Sequence, residues 1–225
     1  MPRAIRIIKK DIVYHLLNRA NGRLRIFKKA RDFEAFEQIL AEAINKFNVR
    51  ITGYCIMSNH WHMVAWPRKD NQLSEFMKWL TVTHAQRWHT AHGTTGMGHL
   101  YQGRYKSFPA ESDEHYLTVL RYVESNPLRA DIVEKSQSWP WSSLALRNGR
   151  ECEITLSDGP VELPRRWNYL VNLDVNDNQK SMIDNCIKRG CPYGDKHWVR
   201  RTIKQLGLES SIRPIGRPKK GVRPL

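Results

Sequence analysis

Residues 49–66 constrain this chain more than any other stretch. Two β-rich runs, 49–57 and 60–66, flank the polar break Ser58-Asn59, and the second stops at Pro67. Their β-branched and aromatic content reads as two successive strands with a tight connection. Residues 11–18 read as an earlier strand. Between them, Phe33, Phe36, Leu40, Ile44 and Phe47 recur at helical spacing over residues 31–47. Beyond Pro67, Leu73, Phe76, Met77 and Leu80 mark a second helix running to about Trp88. Gly93, Gly96 and Gly98 then indicate a loop, and residues 102–110 a fourth strand. Ser112-Asp113-Glu114 starts another helix, with Ser112 as the expected cap and the acids at the positive end of the dipole. It runs to Ser125-Asn126, where Pro127 disfavours regular continuation. The order β-α-β-β-α-β is the split-βαβ, ferredoxin-like pattern of an α+β fold. An antiparallel sheet with helices on one face is expected; periodicity does not give the strand order.

The function classes are narrowed by charge. Lys and Arg number 37 against 22 Asp and Glu, a net +15 over 225 residues, and the pI is near 9.9. Nine of those cations and a single acid fall in residues 196–225, placing +8 there. With 8 Trp and 8 Tyr, this composition points to a polyanion, because cations release phosphate counterions and rings stack on bases. A merely soluble basic protein has the same composition. No basic helix carries a wide apolar face and no apolar run reaches the ~18 residues of a membrane span, so nucleic acid ranks above membrane. The N-terminus is basic without the apolar core of a secretory signal. Four scattered cysteines fit a reducing cytoplasm, and a nucleic-acid partner there implies nucleoid association.

The length suits one domain with an appendage or two small domains. The division expected is a main domain over 1–150, a helical region over 151–212 and a basic, disordered tail over 213–225. Residues 151–175 carry little periodicity; helices are expected over 177–189 and 196–206. Two short helices joined by a Gly-containing turn fit a DNA-binding hairpin, and equally a plain helical hairpin packed on the main domain. The Gly-Arg-Pro core of the tail resembles an AT-hook; a solvated tail with general phosphate affinity fits as well.

The segment that carries chemistry is Asn59-His60-Trp61-His62. On a strand, residues two apart share a face, so His60 and His62 stand together while Trp61 packs behind. Two imidazoles on one strand can bind a divalent ion and leave positions for substrate oxygens, though nine histidines generate such a spacing by chance. Tyr122 and Asn126 stand at i and i+4 on one helix face: a phenol nucleophile beside a carboxamide oxygen. By spacing alone, a half-buried core tyrosine and a helix-terminating asparagine is the simpler description.

These pieces together are more specific. Residues 53–67 around His60-Trp-His62 resemble the His-hydrophobic-His (HUH) motif of the IS200-like, single-tyrosine transposases, within them the REP-associated tyrosine transposases. Tyr14-His-Leu-Leu-Asn-Arg19, Gln102-Gly-Arg-Tyr105, the run Tyr116 to Ala130 with Tyr122-x3-Asn126-Pro127, and Trp139-Pro-Trp-Ser-Ser143 support the likeness, as does the Gly-Arg-Pro-Lys tail. It covers about residues 5–145 firmly and the rest loosely. The resemblance implies that His60, His62 and Asn126 hold Mg²⁺ or Mn²⁺ and that Tyr122 is the nucleophile, with Tyr116 the fallback. It further implies cleavage of single-stranded or hairpin DNA of repetitive extragenic palindromes through a 5′-phosphotyrosine. Arg19, Arg104 and Arg129 are candidates for DNA contact within the fold, and Arg213, Arg217, Lys219 and Lys220 in the tail. Each of the first three could equally be a surface salt-bridge arginine, while the tail cations are expected to add affinity through phosphates. A non-catalytic DNA- or RNA-binding protein of the same fold, and a metal nuclease using water, are the alternatives. Relatives leave the oligomeric state open between monomer and homodimer.

Overall fold

The computed structural model describes residues 6–173 and 175–214, so Arg217, Lys219 and Lys220 lie outside the described residues. Four strands form one sheet: β1 (Val13–Arg19), β2 (Arg50–Met57), β3 (His60–Trp66) and β4 (Lys106–Ala110). Their order is β2-β3-β1-β4 and each described pairing is antiparallel. Two helices cross between strands, α1 (Ala30–Phe47) and α2 (Gln72–Ala91). This is the ferredoxin-like order that periodicity left open.

The alternation of β3 sorts the core. Trp61, Met63 and Ala65 join Phe36, Leu40, Phe76 and Leu80 beneath α1 and α2. Val64 faces the opposite way, with His60 and His62 at the other residues of the same parity. On β2 the parity changes at Thr52, where the register with β3 jumps between Ile51 and Gly53. One extra residue lets Ile51, Tyr54 and Ile56 all reach the α1/α2 core. It also brings Gly53 under α3 (Glu114–Glu124), where a Cβ would stand 2.2 Å from Leu120 Cδ1. Only glycine fits there.

The expectation of helices on one face is therefore incomplete. The crossover helices α1 and α2 do lie on one face, but the other is covered by α3. It is also covered by residues from α6 (Trp167–Asn172) and α7 (Asp177–Arg189). The physical reason is that Val13, Cys55, Val64 and Phe108 are apolar on that face too and must leave water. Short elements complete the layer: α4 (Asn126–Arg129), α5 (Ser143–Arg147), α8 (Lys196–Leu206) and α9 (Glu209–Ile212). The wholly buried carboxylate of Glu124, at the end of α3, ties this layer together. It accepts from Ser143 Oγ at 2.5 Å, Arg147 Nε at 3.1 Å and Trp167 Nε1 at 2.6 Å.

Two boundaries differ from the sequence expectation. Helix α3 is capped by Asp113, whose carboxylate accepts the His115 amide, and not by Ser112. Strand β4 begins at Lys106 and not at residue 102, because pairing with β1 ends at Leu17–Lys106. Tyr101 instead bridges Ala20, and Gln102 N donates to Arg19 O at 3.0 Å. The chain between, Gly103 and Arg104, loops over the end of the sheet.

Candidate active site

At that end of the sheet lies a cavity of about 540 Å³. Strands β1, β3 and β4, helices α3, α4 and α7, and the loop at residues 102–104 converge on it. Strand β3 supplies His60 and His62, helix α3 supplies Tyr122, and Asn126 follows one turn later at the start of α4. The His60 and His62 rings are 5.1 Å apart between centroids, and the His62 and Tyr122 rings 6.0 Å. Residues far apart in sequence are thus side by side.

The imidazoles are held from behind. His60 Nδ1 bonds Asn59 Oδ1 at 2.6 Å, and His62 Nδ1 pairs with His15 Nε2 of β1 at 2.8 Å. His15 in turn stacks on Phe108 of β4, centroids 4.8 Å apart. Burial, with the Arg19 charge second, lowers the His60 pKa to about 4; burial and the neighbouring His15 and His60 hold His62 well below the usual range. Burial likewise lowers His15 to about 3, helped by Arg129. All three are neutral imidazoles at pH 7.

Asn126 Nδ2 donates to the carbonyls of Tyr122 and Val123, at 3.0 and 3.2 Å. Two acceptors on that side fix the amide orientation and leave its oxygen as the atom to face the cavity. Tyr122 is 7% exposed. The Arg129 guanidinium lies over its ring, 3.8 Å from the centroid. Its hydroxyl donates to Asp184 Oδ1 of α7 at 2.9 Å. Burial pushes the phenol up to about 12; Arg129 opposes this and the Asp184 carboxylate adds to it.

Arg19 and Arg104 line the cavity, joined by Lys106 and Lys188. Arg19 Nε and Arg129 Nη1 are buried and have no hydrogen-bond partner. Arg19 lines the basic cleft and Arg129 stands over the Tyr122 ring beside it, and such donors favour an anionic occupant. Arg213 is exposed beyond α9 and its carbonyl accepts from Arg189. Tyr116 is fully buried, and its ring instead packs against Gly159. Among described residues, the cluster of His and acidic ligand types is elsewhere: Glu111, Asp113 and His115. Its carboxylates accept the amides of Asp195 and His115.

Sequence reasoning missed His15 and Asp184. His15 lies in a segment already singled out, and its parity on β1 was the available signal. Asp184 left none: an acid on an amphipathic helix reads as solvated surface.

The family described as "Transposase IS200 like" matches residues 8–126. Among solved structures, the chain is similar to a REP-associated tyrosine transposase bound to a REP hairpin. That likeness has 15% identity and a TM-score of 0.54, over 70% of this chain and 93% of the other, and is one of fold. A candidate transposase from Deinococcus radiodurans R1 is similar at 16% identity and a TM-score of 0.40, over 55% and 93%. No curated protein matches the chain. No helix among the described residues is long and apolar enough to cross a membrane. With the family match extending over more than half of the chain, from before the first strand to the asparagine after Tyr122, the chain belongs to the IS200-like transposases.

Proposed function

We propose that this transposase is a metal-dependent single-strand DNA endonuclease and strand transferase, with Tyr122 as nucleophile. The observation that carries the reading is that Tyr122 and two neutral, back-supported histidines line one basic cavity. The donor set fits a divalent ion. With Nδ1–H of His60 donated to Asn59 and Nδ1–H of His62 to His15, each Nε2 keeps its lone pair for a metal. Asn126 Oδ1 supplies an oxygen of the kind Mg²⁺ and Mn²⁺ accept. Bound there, the ion would polarise the scissile phosphate and offset charge on the departing oxygen.

The remaining chemistry belongs to the side chains. Tyr122 Oη forms a bond to phosphorus as the P–O3′ bond breaks; the phenol loses its proton and the 3′ oxygen gains one. The products are a 5′-phosphotyrosine and a free 3′-OH. Since one ester replaces another, a 3′-OH can reverse the step without ATP. A phenol near 12 is un-ionised at pH 7, so its proton leaves during attack, and Arg129 over the ring stabilises the developing phenolate. Arg19 and Arg104 are placed in this reading on backbone phosphates, with Arg129 on the nucleophile. The fold relative binds a REP hairpin; we extend to this chain a single-stranded, hairpin-bearing substrate cut near the hairpin foot. The division at about residue 150, with the tail from 213 holding DNA, belongs to the same reading.

The test is incubation with hairpin-bearing single-stranded DNA and Mg²⁺ or Mn²⁺. A covalent adduct is expected from the wild type and none from Tyr122→Phe. Cleavage persisting in Tyr122→Phe would instead favour water as nucleophile. His60→Ala is expected to lose cutting while retaining DNA binding; binding without cutting by the wild type would leave only a DNA-binding protein.

A further inference from the structure

Helix α7 lies beyond the family match, which ends at residue 126, yet it forms one wall of the catalytic cavity through Asp184, Ile187 and Lys188. Its docking is specific. Ile183 and Cys186 are buried against the sheet. The chain after it is pinned to β4: Tyr193 N donates to Pro109 O at 2.9 Å, and Glu111 N to Tyr193 O at 2.9 Å. Asp184 lies next to the buried Ile183, and a side chain adjacent to a docked position is fixed in where it can reach.

Its carboxylate accepts the Tyr122 hydroxyl at 2.9 Å while Arg129 covers the ring face at 3.8 Å. Two opposite charges from two different elements therefore define the rotation of the ring and the direction of its hydroxyl. A tyrosine hydroxyl hydrogen can turn to either side of the ring, and an in-line attack needs one orientation of the oxygen lone pairs. Arg129 also reaches the hydroxyl as a donor, and Asp184 is the carboxylate that accepts from it.

We propose that Asp184 is a positioning residue for the nucleophile: the C-terminal region, through α7, aims the Tyr122 hydroxyl. The inference rests on the reading of Tyr122 as the nucleophile. What it requires of residue 184 is an acceptor at this reach, which an asparagine also provides.

The experiment measures the single-turnover rate of adduct formation on hairpin-bearing single-stranded DNA, together with DNA affinity, for Asp184→Ala and Asp184→Asn. At saturating DNA, Asp184→Ala is expected to slow adduct formation about ten-fold or more, and Asp184→Asn, which removes the same charge but keeps an acceptor, to recover to within about three-fold of wild type. A second readout needs neither metal nor DNA: the ¹³Cζ signal of Tyr122, assigned by its loss in Tyr122→Phe. It should move in Asp184→Ala and stay near the wild-type shift in Asp184→Asn. An Asp184→Ala rate within two-fold of wild type, or an asparagine variant as slow as the alanine, overturns the proposal. Should Asp184→Ala fail to fold, a wild-type Tyr122 signal at the shift of free, water-exposed tyrosine overturns it equally. An adduct that survives Tyr122→Phe would fail the nucleophile assignment itself, a different outcome from any of these.

Discussion

At the scale of single residues, the back of the HUH strand is as consequential as its front. Trp61 Nε1 donates to Tyr101 Oη at 3.1 Å, and Tyr101 Oη pairs with His84 Nδ1 at 2.6 Å. This chain fixes the indole between His60 and His62 against a wholly buried, neutral His84. Burial lowers the His84 pKa to about 3, Asp32 pulling it up and His92 down by lesser amounts. The unfolded chain protonates this histidine near ~6.5. Its folded pKa is the lower one, so the unfolded state binds more protons between the two values. Stability is complete above pH ~6.5 and declines as pH falls, by up to ~1.4 kcal/mol per pH unit. His84→Gln, which keeps an acceptor but cannot titrate, should show a shallower dependence of the urea midpoint between about pH 4 and 6. Parallel pH profiles for the two proteins would refute the assignment.

At the scale of elements, the question is what sets the distance from α3 to the sheet, since α3 carries Tyr122. Gly53 does so, because Leu120 Cδ1 occupies the space a Cβ would need. Gly53→Ala should cost about 1–3 kcal/mol, from overpacking. Leu120→Ala should cost about 2–5 kcal/mol, from the cavity it leaves. Combined, the two should be less damaging than their sum, the new methyl taking space that Leu120 vacates. Additive losses in chemical denaturation would show that the close approach is not the constraint. The same element was legible in the sequence as a helix ending before Pro127, and its cap was misplaced by one residue. A Ser-Asp pair offers two oxygen caps, and only the start of the helical turn at Glu114 decides between them. The five-residue α5 and six-residue α6 escaped, being too short for a period of 3.6 to register.

At the scale of the molecule, charge and chemistry occupy different parts of the chain. The proposed catalytic residues sit on the sheet and α3, whereas +8 of the +15 belongs to residues 196–225. If the tail holds phosphates, cutting the chain before Arg213 should flatten the salt dependence of DNA affinity, by about 0.7 in log–log slope for each phosphate the tail had neutralised. Adduct formation at saturating DNA should be little changed. An unaltered slope would remove the tail from the interface.

The alternation of strands and helices, the shared face of His60 and His62, and the Tyr122/Asn126 pair follow from the amino-acid sequence alone. These are consequences of local periods, two residues on a strand and 3.6 on a helix. The tertiary structure alone decided the β2-β3-β1-β4 order and the covering of both sheet faces. It also decided the partnership of His15 with His62 and of Asp184 with Tyr122, residues 47 and 62 positions apart. Contacts at such separation depend on how apolar faces are buried together, and no local period in a chain records which faces will meet.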